Sequence, residues 1–92
     1  MEMFTFTGLI WQEEGSYSAL CPELDVATQA DTIAEAKDRL LEAATLHLEG
    51  AFEDNLPYLR PVPPAEDPRN ILPATQFYRF CFKVDVTLRA YA

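Results

Sequence analysis

The chain has few of the residues that small proteins use for covalent or metal cross-links. It holds two cysteines, one histidine and three glycines among 92 residues. Cys21 and Cys81 each stand alone, with no second cysteine nearby and no adjacent histidine, so a zinc site would lack ligands. We therefore expect two small apolar side chains buried in strands, and neither a cofactor nor a metal. The hydrophobic residues, 49% of the chain, must stabilise the fold without such cross-links.

Basic residues are also scarce, and they are unevenly placed. Residues 1–54 hold twelve acidic and two basic side chains, a net charge of −10, whereas residues 55–92 hold three acidic and five basic ones, a net charge of +2. A nucleic-acid surface needs clustered Lys and Arg, so we expect no direct nucleic-acid binding. The acidic first half predicts a docking face for a basic protein, with ordinary solubility charge as the alternative.

Long apolar runs and a signal-peptide pattern are absent from the sequence. We therefore expect a cytoplasmic protein with no membrane contact. The length predicts a single domain over residues 1–92. It divides into residues 1–53 with a β-hairpin, a third strand and a helix, residues 54–73 with a proline-rich loop, and residues 74–92 with a final strand.

The pattern that is present centres on a helix within residues 26–49. Thr32 and Glu35 form a capping-box pair, in which the Thr32 hydroxyl accepts from the Glu35 amide and the Glu35 carboxylate returns to Thr32. Apolar residues then recur at steps of three and four and predict one buried stripe, made of Ile33, Ala36, Leu40, Ala43, Ala44 and Leu48. Such a helix needs a sheet to lie on.

Alternating residues predict four strands around this helix. The strands are residues 3–13, 16–21, 26–29 and 77–88, and Glu14-Gly15 marks a hairpin turn between the first two. Six prolines between residues 54 and 73 exclude a helix or a central strand there. The order is β-β-β-α-β, an α+β two-layer sandwich with one amphipathic helix on one face. A helical crossover predicts a last strand parallel to an earlier one, and the sheet's other face is expected to be open to solvent or to a partner.

Several short motifs follow one another in a fixed order along residues 8–49. They are Cys21-Pro22-Glu23-Leu24, then Thr28-Gln29-Ala30-Asp31-Thr32, then Glu35-Ala36, and finally Glu42-Ala43 with Leu46 and Leu48-Glu49. In order and spacing they resemble the N-terminal domain of the HicB-like antitoxins of bacterial and archaeal toxin–antitoxin pairs. Asp25-Val26-Ala27 and Ala30 depart from that family's usual Pro-Gly-Cys and Gly.

The resemblance implies a partial ribonuclease H-like sheet whose final strand lies beside the first, away from the second. Cys21 and Cys81 would then be two strand spacings apart, roughly 9–10 Å, which is too far for a disulfide and predicts free thiols. It also implies an antitoxin-type interaction protein that neutralises a small basic HicA-like mRNA interferase by contact, without a DNA-binding domain of its own. A stand-alone oligomeric regulatory or small-ligand-binding domain with no toxin partner is the alternative.

Catalysis is not expected, because residues 3–11 of the first strand include no acid and no hydroxyl lies in a nucleophile motif. We expect a homo-oligomer and predict two candidate contact sets. One is the long aromatic last strand, with Phe77, Arg79, Cys81, Lys83 and Asp85, where Lys83 and Asp85 guard against runaway pairing. The other is Leu9, Trp11 and Tyr17 beside the hairpin turn. Coverage of the strand edge by the proline-rich loop, and a core position for Trp11, are the alternatives.

Overall fold

The computed structural model describes residues 3–85 and 90–91. Its main elements are one antiparallel sheet and one long helix. The strands are β1 (Met3–Glu13), β2 (Ser16–Cys21), β3 (Val26–Ala30), β4 (Phe77–Asp85) and β5 (Ala90–Tyr91). Their order across the sheet is β3-β2-β1-β4-β5, and every neighbouring pair is antiparallel. The helices are α1 (Ile33–Glu53) and the four-residue α2 (Pro68–Ile71). The predicted α+β class is confirmed; residues 86–88 of the predicted final strand lie outside the described residues.

The hairpin between β1 and β2 closes through the predicted two-residue turn. Glu14 and Gly15 both have positive φ angles, +49° and +84°. Two consecutive left-handed residues match the right-handed twist of the flanking strands, so the turn sets the register between Glu13 and Ser16. That register pairs Ile10 with Ala19 and Leu9 with Leu20. The first pair lies on one face of the sheet and the second pair on the other face.

Helix α1 begins at the predicted cap and packs on what we call the helix face of the sheet. The Thr32 hydroxyl accepts the Glu35 amide at 3.1 Å. The predicted return bond is wrong, because the Glu35 carboxylate lies 3.8 Å from Arg39 instead. The buried helix residues are Ala36, Leu40, Ala44, Leu48 and Ala51. Ile33, predicted to belong to this buried stripe, is 45% exposed and lies outside it.

The earlier strand to which β4 runs parallel is β2, on the far side of β1, and not the strand beside which β4 lies. The final strand lies beside β1, as expected, but it runs antiparallel to it, with Phe77 opposite Trp11 and Asp85 opposite Met3. Helix α1 ends where Phe52 contacts Phe4, 5.9 Å between ring centroids, near the start of β1. A strand beginning there would run parallel to β1. Residues 54–76, the proline-rich segment, instead carry the chain back to the other end of the sheet before β4 starts.

Phe80 occupies the part of the helix face that α1 leaves uncovered above β4. It lies opposite Gly8, and a Cβ atom at Gly8 would overlap the Phe80 ring. The Lys37 ammonium sits 5.1 Å from the centroid of that ring. The Phe80 ring therefore packs in the space that a side chain at Gly8 would occupy. As a result, Phe80 is only 9% exposed.

Gly8→Ala is expected to destabilise the fold by about 1–3 kcal/mol, because the added methyl displaces Phe80 from its packed position. Urea unfolding followed by circular dichroism measures the free energy. Gly50→Ala is the matched control: nothing lies within 4 Å of its added Cβ, so this helix substitution is expected to stabilise by about 0.5–1 kcal/mol. Equal free energies for the Gly8→Ala variant and the wild type would contradict the packing described here.

Candidate interaction surfaces

The sheet face opposite α1, which we call the outer face, is partly closed by the proline-rich segment. Leu9 and Leu20 both point to this face, yet they are 0% and 5% exposed. The segment meets the sheet at one end, where Arg60 N–H donates to Glu23 O at 3.0 Å and Val62 N–H donates to Pro22 O at 2.8 Å. At the other end Leu72 lies beside Trp11. The segment therefore crosses the outer face, and the expectation of an open outer face is wrong over Leu9 and Leu20.

Glu23 joins the sheet to this segment. Strand β2 ends at Cys21, so on the β2 side of β1 no strand pairs with Thr7. The Glu23 carboxylate takes that place, accepting the Thr7 N–H at 2.9 Å and the Thr7 hydroxyl at 2.7 Å. It keeps the buried Thr7 satisfied where a strand partner is missing.

Asp67 and Arg69 form the polar centre of the proline-rich segment. Asp67 begins α2 by accepting the Arg69 N–H at 2.9 Å, and its carboxylate also binds the Arg69 guanidinium, with Oδ2 and Nη2 2.6 Å apart. Helix α2 also corrects the prediction that prolines exclude any helix here, because Pro68 stands at its first position, where no N–H is needed. The Arg69 hydrogen bond lowers the pKa of Asp67, against a smaller opposing effect of burial.

Asp67→Asn keeps a capping side chain but removes the charge, so the wild type is expected to be about 1–2 kcal/mol more stable at pH 7. The folded-state pKa of Asp67 lies below its unfolded value, roughly 3.9. The extra stability of the wild type is therefore fully present above the unfolded-state pKa. It disappears as the pH falls through the lower folded-state pKa. Urea unfolding of both proteins at pH 7, 4 and 2 measures it. An advantage that persists unchanged at pH 2 would contradict the ion pair.

The predicted contact set beside the hairpin turn does not form one surface. Leu9 is fully buried and offers no contact area. Trp11 is half-buried on the outer face, whereas Tyr17 faces the helix side and packs against the core. Both Trp11 and Tyr17 line a shallow groove at the strand ends, together with Phe77 and Tyr78.

The predicted set on β4 is largely an exposed row on the outer face. Arg79, Cys81 and Lys83 are exposed and Phe77 is half-buried. Asp85 is 4% exposed and does not belong to the exposed row. Its role as a guard against strand pairing stays a prediction, since an inward-pointing charge can also oppose pairing. The row follows from the alternation of β4, whose other side turns Phe80, Phe82 and Val84 into the core.

The two thiols differ in environment. Both are free, and β1 separates their strands as predicted. Cys21 is buried, and this burial, assisted by the nearby Glu23 carboxylate, raises its pKa to about 12. Cys81 is exposed on the outer face, so the prediction that both cysteines are buried is wrong for Cys81.

A thiol reagent at pH 8 is therefore expected to modify the native protein once, at Cys81, because Cys21 stays protonated and enclosed. Intact-mass spectrometry counts the adducts. Cys81→Ser should remove the fast adduct, and Cys21→Ser should leave it in place. Rapid double labelling without denaturant would contradict the burial of Cys21.

The sequence pattern places Asp38, Glu42 and Glu49 on the solvated face of the helix, without marking them as a row of acids that binds a partner. This acidic stripe consists of Asp38, Glu42, Glu49 and Glu53, all exposed and spaced by four, seven and four residues. The helix holds two cations, but Lys37 lies over Phe80 and Arg39 binds Glu35 and the Gln29 carbonyl. No ion pair to the acidic stripe occurs within residues 3–85 and 90–91. The helical spacing of these acids was the signal that could have revealed the stripe.

An apolar groove runs beside the acidic stripe, between α1 and β5. Leu46 is 60% exposed there, and Leu41 is half-buried. Together with Thr45 and Ala90 they line the groove, whose rim is Asp38 and Glu42. A strongly charged rim next to exposed aliphatic side chains has the character of a protein-docking surface rather than a small-molecule site.

Two cavities that the proline-rich segment lines, beside Leu56 and Pro57 and beside Leu72, are open grooves, unlike the closed ligand pocket that the alternative function needs. Tyr58 packs against Phe4 and Phe52, with centroids 5.4 and 5.5 Å away, and Leu59 is 56% exposed. His47 holds this region, because its Nε2 lies 2.8 Å from the Tyr58 carbonyl oxygen, which can only accept. Tyr58 therefore anchors the segment, whereas Leu59 and Ile71 are exposed.

Residues 3–85 and 90–91 lack the features of a metal site and of a membrane-spanning helix. No group of three or more His, Cys, Asp or Glu side chains is placed to hold a metal ion. None of the described helices has both the length and the hydropathy that a membrane crossing requires.

The fold and these surfaces define a small α+β protein with an acidic helix. No family model and no solved structure matches the chain. Among curated proteins, it is similar to the UPF0150 protein ssl0738 of Synechocystis sp., with 51% identity over 43 residues. The match covers 46% of the chain and 60% of that relative's length.

Proposed function

We propose that this chain is a protein-interaction domain of the HicB-like antitoxin type, which neutralises a small basic HicA-like mRNA interferase by direct contact. The acidic stripe of α1 carries the proposal. The stripe presents four exposed carboxylates in one line, without an ion pair to any of them in the described residues. A positively charged protein is the partner that such a surface attracts.

The arrangement of the stripe has a cost that favours a binding role over simple solubility. Asp38 and Glu42 are four residues apart, and so are Glu49 and Glu53, so each pair places like charges next to each other on the helix. The last turn contains no basic residue to balance the negative end of the helix dipole. A basic partner would relieve both sources of repulsion when it binds.

The groove beside the stripe supplies the apolar part of the contact. Leu41 and Leu46 offer aliphatic area that a charged surface alone lacks. Charged rims set the rate and orientation of association, whereas buried apolar contacts provide most of the affinity. The partner that fits is therefore a basic protein whose Lys and Arg side chains border an apolar residue or two.

The test is to purify the basic protein captured by this chain from its host at low salt, and then to assay it alone. We expect it to cleave RNA, and we expect one molar equivalent of the chain to stop the cleavage. Binding should weaken steeply as salt rises from 0.05 to about 0.5 M, since exposed charges are screened over roughly 10 Å or less. A captured protein whose RNA cleavage is unaffected by the chain would contradict the antitoxin proposal.

Charge-matched variants locate the contact. Asp38→Asn, Glu42→Gln and Glu49→Gln combined remove three charges from the stripe, and about 1–2 kcal/mol of binding should be lost, roughly tenfold in Kd. Glu14→Gln, Asp31→Asn and Glu66→Gln combined remove the same charge from exposed sites elsewhere. If this control weakens binding as much as the stripe variant, net charge rather than the stripe attracts the partner.

A further inference from the structure

Strand β4 has an open edge on the side away from β1. On one side it pairs with β1 along all nine residues, from Phe77 to Asp85. On the other side only Lys83 and Val84 pair, with β5. Within the described part of the chain no strand lies against the other side of Phe77–Phe82, so half of the N–H and C=O groups there point away from the sheet. An edge of this length is a template for another strand.

The open stretch of the β4 edge, Phe77–Phe82, has few of the features that normally block pairing. It contains no proline, its register with β1 is unbroken by a bulge, and Arg79 is its one charged residue, since Lys83 already pairs with β5. Its helix-face row is aromatic, with Tyr78 stacked 6.0 Å from Phe80 and 51% exposed. Protein interfaces are enriched in such aromatic side chains.

Charge favours a second copy of this chain as the occupant. The chain carries a net charge of −8, so two copies repel each other over most of their surface. The exposed charged residues of β4 are Arg79 and Lys83, and its one acid, Asp85, is buried. Contact through β4 therefore brings two acidic molecules together where neither presents a carboxylate.

Symmetry limits the registers available to such a pair. Two antiparallel copies of one strand are related by a two-fold axis perpendicular to the sheet, and residues that oppose each other lie on the same face. Five of the six open residues, Phe77–Phe82, can pair when the two-fold axis passes through Arg79 or through Phe80. Any other position of the axis pairs fewer of them. The axis at Arg79 opposes that arginine to its own copy, a repulsive cross-strand pair. The axis at Phe80 opposes Arg79 to Cys81, and Tyr78 to Phe82.

We propose that two copies of the chain associate through antiparallel pairing of their β4 edges, centred on Phe80. The aromatic rows of the two copies then meet on the helix face, with Phe80 opposite its own copy. Because the axis is perpendicular to the joined sheet, both helices and both acidic stripes lie on the same side of it. The dimer would present two equivalent surfaces to basic partners, and its existence does not depend on the proposed antitoxin activity.

Disulfide trapping tests the register. Arg79→Cys changes an exposed side chain and places its thiol opposite Cys81 of the second copy, at a spacing that a disulfide can bridge. Mild oxidation should give a covalent dimer on a non-reducing gel, with a 79-to-81 cross-link in peptide mass spectra. The wild type should stay uncrosslinked, because its two Cys81 thiols are diagonal rather than opposed.

The double variant Arg79→Cys with Cys81→Ser separates the two registers. It should give no covalent dimer if Phe80 is the centre, whereas a 79-to-79 cross-link would overturn the proposed register in favour of the one centred on Arg79. Sedimentation of the reduced wild type should show twice the chain mass of 10.4 kDa. A monomer at all concentrations up to about 0.5 mM, together with no cross-link, would overturn the dimer itself.

A surface variant checks that the aromatic row contributes. Tyr78→Lys places a cation beside Phe82 of the second copy. The dissociation constant of the dimer is expected to rise at least tenfold. Ala27→Lys, an exposed substitution on β3, opposite Leu20 and away from β4, is the matched control and should leave the dimer intact. Circular dichroism shows that both variants are folded. Equal dissociation constants for the two variants would exclude Tyr78 from the interface and overturn the proposed pairing.

Discussion

The path of the proline-rich segment across the outer face is the constraint on which the rest of the structure depends. Helix α1 ends beside the start of β1, as its contact between Phe52 and Phe4 shows. The following chain is held at Pro22 and Glu23 by main-chain hydrogen bonds and then passes to the Trp11 end of the sheet. Because the return is made before β4 begins, β4 must run antiparallel to β1.

This return also divides the sheet into surfaces of different character. The segment covers Leu9 and Leu20 and includes the buried Asp67, so the middle of the outer face is closed. What remains exposed is the β4 row with Arg79 and Lys83, and, across the molecule, the acidic solvent side of α1. The uneven charge of the sequence thus becomes two separate surfaces of opposite sign.

Glu23 shows how one side chain supports both the sheet and the segment. Its carboxylate replaces a missing strand partner at Thr7, while its own carbonyl oxygen accepts from Arg60. It also contributes to the raised pKa of Arg69, which places it within electrostatic range of the Asp67–Arg69 pair. Residues 22–24 thus form the anchor of the proline-rich segment.

Local structure could be predicted from the sequence because it depends on neighbouring residues. The Glu14-Gly15 turn, the Thr32 cap, the buried helix stripe and the alternation of β4 each follow from spacings of two to four residues. The direction of β4, the burial of Leu9 and the exposure of Cys81 depend instead on how twenty-three residues between α1 and β4 lie on the sheet. No local pattern encodes that path, because bonds between residues as distant as Arg60 and Glu23 decide it. The sequence by itself determined the elements and their faces, and only the tertiary structure decided which of those faces remained uncovered.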